Sequence, residues 1–188
     1  MEEDRIKSAR EIAMERLASV PQSTPEELEE QREREYGPRG VALANKYLEK
    51  KTREMDLQAE LLGYRGKERE TVNKAFLSTL LASITVEGME KSLRAVDGIQ
   101  AVTGASLEGV RREMRTVSTE FHRDQEQRRS VFEELEREKL RELGISGSAV
   151  RPRLEDSEDW HQESRRIQSE YDSRLGKLNE TIRQLAGI

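Results

Sequence analysis

His122 and His161, the two histidines of the chain, are the first side chains that invite chemistry. His122 has Asp124 near it and Glu126 one turn on. A metal site needs three or four converging ligands, and this set holds one imidazole. Glu158 stands three residues before His161, the Glu-x-x-His spacing of di-iron bundles. Thr119 holds that place before His122, so the second His-bearing copy is missing. There is no cysteine, which removes thiol nucleophiles, disulfides and Cys-based zinc sites. Carboxylate pairs recur everywhere, so none stands out as an acid–base couple, and that chemistry needs a cleft. No Gly-x-x-x-x-Gly-Lys-Ser/Thr occurs, and the glycines of 144–148 have no lysine beside them. These residues support no catalytic group, no metal ligand and no cofactor site.

The basic pairs are the next candidates. Arg111-Arg112 with Arg115, Arg128-Arg129, Arg151 with Arg153, and Arg165-Arg166 form stripes of the kind that grips phosphates. Glu113, Glu120, Glu126 and Glu163 interleave with them, which favours surface ion pairing one turn apart. Acids outnumber bases 38 to 33, a balance that favours neither nucleic acid nor an anionic membrane. The N-terminus, MEEDRIKS, is acidic and has no apolar run of the signal-peptide kind. No stretch of about 18 apolar residues offers a membrane span. A cytoplasmic protein is the expectation.

What the chain does show is helix. Charged residues make up 38% and apolar ones 34%, which suits narrow bundles better than a thick core. From Val72 to Phe121 a three–four alternation runs through Val72, Ala75, Thr79, Ala82, Val86, Met89, Leu93, Val96, Gln100, Thr103, Leu107, Val110, Met114, Val117 and Phe121. That is a heptad seam. An unbroken helix over 68–143 would be about 114 Å long. The seam turns polar at Gln100 and Thr103, and Gly104 with Ser106 offers a C-cap followed by an N-cap. A turn there predicts an antiparallel hairpin with arms over 68–102 and 106–143, in preference to a single rod.

The remaining segments follow from their punctuation. Residues 2–20 read as a thin amphipathic helix, with Ile6, Ala9, Ala13, Leu17 and Val20 on one face and Ile12 beside them, stopped by Pro21. Thr24-Pro25-Glu26-Glu27 has the form of a capping box. Gly37-Pro38-Arg39-Gly40 predicts a break, after which a helix resumes over 41–62 and closes on a left-handed Gly63 with Tyr64 folded back toward Ala59. Past Phe121, nine polar residues precede Val131 and Leu135, which recover the seam. Gly144 and Ile145 complete a Schellman ending with Leu140. A loop over 146–153 leads to a last helix over 157–186, whose face is Trp160, Ile167, Tyr171, Leu175, Leu178, Ile182 and Leu185.

Lys7-Ser8-Ala9-Arg10-Glu11-Ile12-Ala13-Met14-Glu15-Arg16, the Pro-Gly break with Gly40-Val41-Ala42-Leu43-Ala44, and the Ile145–Pro152 loop occur in order along the chain. Together they resemble a family of small bacterial helical proteins without an assigned activity. The resemblance implies a bacterial, cytoplasmic setting and no site residue.

The expected architecture is therefore all-α: an elongated antiparallel bundle over 41–186 with an acidic helical arm over 1–36. The expected role is a non-enzymatic interaction or scaffold protein that works through its helix faces. A nucleic-acid-associated protein and a metal-dependent enzyme are the alternatives. The expected partner is another protein or a second copy of the chain, with nucleic acid disfavoured and no membrane. The candidate contact residues are Ile6, Ile12, Leu17, Val150, Arg151, Arg153 and Trp160.

Overall fold

The computed structural model describes residues 8–10, 14, 24–147 and 151–188. Most of the helix expected over 2–20 lies outside them. Among the described residues the protein is all-α, with six α-helices, one 3-10 turn and no strand. The helices are α1 (Pro25–Leu48), α2 (Glu54–Leu62), α3 (Gly66–Ala82), α4 (Met89–Thr103), α5 (Glu108–Glu142) and α6 (Glu158–Ala186). No helix among them is long and apolar enough to cross a membrane.

α1 starts as its sequence requires. The Thr24 hydroxyl accepts the Glu27 N–H at 3.2 Å, and the Glu27 carboxylate accepts the Thr24 N–H at 2.9 Å. It does not break at Gly37–Gly40, however, but runs through Pro38 to Leu48. The division into an arm ending at 36 and a bundle starting at 41 therefore falls inside one helix. Two glycines explain why. Gly37 has no Cβ to clash with the proline ring that follows it. Gly40 is buried against α3: a Cβ there would lie 2.4 Å from the Val72 carbonyl oxygen and 2.9 Å from the Ala75 Cβ. The close approach of two backbones rewards the helix that proline penalises.

The helix expected over 41–62 is instead two. α1 closes in a Schellman motif, with Lys51 N–H bonded to the Lys46 carbonyl and Lys50 N–H to that of Tyr47. Lys50 occupies the left-handed position at φ 62°, a place that glycine usually takes. Arg94 of α4 holds this corner. Its guanidinium donates to the carbonyls of Tyr47 and Thr52 and lies 4.4 Å from the Tyr47 ring centroid. Gly63 is right-handed at φ −66°, and Gly66, at φ 51°, supplies the left-handed residue that opens α3. Tyr64 packs edge-on against Tyr36, centroids 6.2 Å apart, and not toward Ala59.

α1 and α3 make the most extensive helix pair. They run parallel. The Tyr36 hydroxyl donates to Glu68 at 3.0 Å, Gly40 meets Val72 and Phe76, and Tyr47 faces Phe76. The short α2 carries the chain back between them.

The arm expected over 68–102 breaks at 83–88. Ser92 stitches this loop, its hydroxyl accepting the Thr85 N–H and donating to the Thr85 carbonyl. Asp172 of α6 accepts the Val86 N–H at 3.0 Å. Glycine at 98 admits Tyr47: a Cβ there would lie 2.6 Å from the ring.

The turn expected near Gly104 is present, at φ 74°, and excludes the single rod. The two polar seam positions build it. Gln100 Oε1 accepts the Leu107 N–H, while Thr103 Oγ1 accepts the Ala105 N–H and donates to the Ile99 carbonyl. Leu107, and not Ser106, is the N-cap of α5. The long antiparallel pair is α5 with α6, and not the expected pairing of an arm over 68–102 with one over 106–143, because α3 packs on α1 instead. Glu120 meets Arg174, Phe121 meets Tyr171, Arg128 meets Glu163, and Phe132 meets Trp160. α5 ends as expected, with Ile145 N–H on the Leu140 carbonyl and Gly144 at φ 78°.

Candidate interaction surface

α5 divides at Phe121. Before it, Val110, Met114, Val117 and Phe121 face the core as the seam requires. Beyond it no α5 side chain is fully buried. This distal half rests on α6 and on the 3-10 turn Leu154–Asp156, where Leu154 is buried. Phe132 and Trp160 pack at 5.7 Å between centroids. Arg128 reaches Glu163 at 3.4 Å, and Arg129 reaches Glu155 at 3.5 Å. The result is an arm two helices thick.

At the root of the arm sits a polar cluster. The Tyr171 hydroxyl donates to Asp124, and its ring meets Phe121 edge-on at 5.5 Å. Arg174 lies 5.0 Å from the Tyr171 centroid and pairs with Glu120 at 2.6 Å. The Tyr171 hydrogen bond holds the Asp124 carboxyl below the ordinary range, with Arg123 assisting. Burial first, then Asp124, pushes the Tyr171 phenol up to about 12.

Val131 and Leu135 correct the sequence reading. The seam, extended past the polar stretch, would point both inward. They are 55% and 52% exposed. Phe132, eleven residues after Phe121, takes the inward place instead. The signal was legible: eleven residues is close to three helical turns, whereas fourteen drifts off an untwisted face. Glu134 and Glu138, also exposed, border these two on one side, and Arg128, exposed but linked to Glu163 of α6, borders them on the side that meets α6.

Three of the seven candidate contact residues lie among the described residues. Ile6, Ile12, Leu17 and Val150 lie outside the described residues. Arg151 and Arg153 are exposed. Trp160 is half-buried against Phe132 and so braces the arm from within. His161 Nε2 lies 2.8 Å from the Glu155 carbonyl and ties the 3-10 turn to α6. His122 sits beside the Phe121 ring. Among the described residues, no group of three or more His, Cys, Asp or Glu side chains is placed to hold a metal ion.

A polar concavity of about 490 Å³ lies between α2, α4 and α5. There Asp97 pairs with Arg111 at 3.2 Å, with Glu54 and Gln58 on the facing wall. Burial raises the Asp97 carboxyl pKa, with Glu54 and Glu108 adding to the shift and Arg111 opposing it. The pair bridges α4 to α5 across the Gly104 turn. A second groove, between α3 and the end of α6, has Leu77 and Leu81 in its wall. Comparison of the chain with protein-family models, with curated proteins and with solved structures returns no match.

Proposed function

We propose that this is a non-enzymatic interaction or scaffold protein that acts through helix faces and self-associates. The observation that carries this reading is the α5–α6 arm, which leaves Val131 and Leu135 more than half exposed on a helix otherwise rich in charge. A two-helix arm buries one stripe of each helix and leaves the rest for a partner. The bacterial setting rests on the family resemblance alone, and the cytoplasmic one on that resemblance together with the acidic N-terminal sequence and the lack of a long apolar stretch. Nucleic-acid binding is the weaker reading, because acids interleave with the arginine stripes and Arg111, Arg129 and Arg166 sit in ion pairs with them. Sedimentation equilibrium across a dilution series, with and without cell extract, tests the proposal. Reversible self-association or a captured partner supports it. A monomer that captures nothing overturns it.

A further inference from the structure

The exposed stripe of α5 beside its contact with α6 is self-complementary about a point midway between Val131 and Leu135. Laid against itself in the opposite direction, the helix sets Val131 on the partner's Leu135 and Leu135 on the partner's Val131. The same register sets Arg128 on the partner's Glu138 and Glu138 on the partner's Arg128. All four residues are exposed on one side of the helix. They span about 15 Å along the axis, close to three turns. Two apolar contacts at the centre, flanked on each side by an opposite-charge pair, form the pattern of a two-fold interface. Gln127 meets the partner's Lys139 in this register, and farther out from the centre Asp124, already bonded to Tyr171, comes opposite the partner's Glu142, a like-charge pair that limits the strength of the contact.

We propose that a second copy of this chain covers the stripe, α5 against α5 and antiparallel, so that the two arms meet along this helix. The proposal rests on the reading of the protein as self-associating and names the surface that does it. Arg128 keeps its link to Glu163 and serves both, since its side chain is 58% exposed. The contact is short, at the small end of specific interfaces, so the dimer is weak and reversible.

The test is a charge swap followed by sedimentation up to several hundred micromolar, with helicity checked by circular dichroism. Glu138→Arg alone, and Arg128→Glu alone, each place two like-charge pairs across the axis. Each is expected to weaken the dimer about tenfold. An equimolar mixture of the two variants restores both opposite-charge pairs, and a heterodimer of near wild-type affinity is expected. Leu135→Gln, which leaves the charges intact, weakens the dimer independently. A dimer indifferent to these changes, or a mixture that recovers nothing, overturns this interface while self-association stands. Absence of any dimer overturns the inference. The broader reading then falls only if extract also yields no partner.

Discussion

Tyr171 shows how single side chains hold the base of the arm. Its ring packs on Phe121 while its hydroxyl donates to Asp124. Tyr171→Phe keeps the packing and removes the bond. The expected loss is about 1 kcal/mol in denaturant unfolding near neutral pH. Asp124 has a depressed pKa, so its contribution is present above the ordinary carboxylate value and is lost as pH falls through the depressed one. In the variant that carboxyl returns toward its ordinary value, and the difference from wild type closes in acid. An NMR titration of the Asp124 carboxyl reads the shift directly. Lys50 carries the opposite lesson, since its left-handed backbone is strained for a residue with a Cβ. Lys50→Gly relieves that strain and gives up only an exposed ion pair with Glu90. A gain of up to about 1 kcal/mol is expected from thermal or chemical melts.

At the scale of the helix, glycines that look alike in sequence do different things. Gly40 sits where two backbones meet, and a methyl group would drive into the Val72 carbonyl. Gly40→Ala is expected to cost about 2 kcal/mol by pushing α1 off α3. Gly176, inside α6, has nothing within 4 Å of the place its Cβ would take. Gly176→Ala is expected to stabilise by about 0.8 kcal/mol through helix propensity alone. Equilibrium unfolding of both variants checks the contrast. A helix prediction made from propensity treats Gly37, Pro38 and Gly40 as breakers, and locally they are. The seam misled in a similar way over α3. Val72 is buried on it, but Ala82 is exposed, and Phe76, Leu77, Leu80 and Leu81 carry the contact instead. Helix α3 must face both α1 and α4, so a single stripe cannot describe it.

Across the whole molecule, burial is uneven. Tyr47, Phe76, Leu80, Ile99, Met114, Phe121, Leu175 and Ile182 are fully buried, and within α5 none of the buried residues lies beyond position 121. The distal arm has Leu154 and the Phe132–Trp160 pair in place of such a core. Hydrogen exchange is therefore expected to be faster in α5 beyond residue 121 than over 108–121. Trp160→Ala is expected to speed exchange in the arm by at least about tenfold and to leave α1, α3 and α4 at wild-type rates. Mass-spectrometric exchange resolves the two regions, and a uniform change across both would show that arm and body unfold as one unit.

Local chemistry determined much of this protein. Periodicity made it all-α, Thr24 and Glu27 set the start of α1, and Gly144 with Ile145 set the end of α5. The Gly104 turn was legible because Gln100 and Thr103 interrupt an apolar seam with groups that can bond a turn. Each of these depends on neighbours within a few residues. Three features needed the tertiary fold. α1 continues through Pro38 because Gly40 meets α3. α1 stops at Leu48, where Arg94, distant in sequence, ties the Tyr47 carbonyl near the helix end to that of Thr52 in the loop after it. Val131 and Leu135 face outward because Phe132 meets Trp160 on the returning helix. In each case a contact between segments far apart in the chain outweighed a local preference worth only a few kcal/mol.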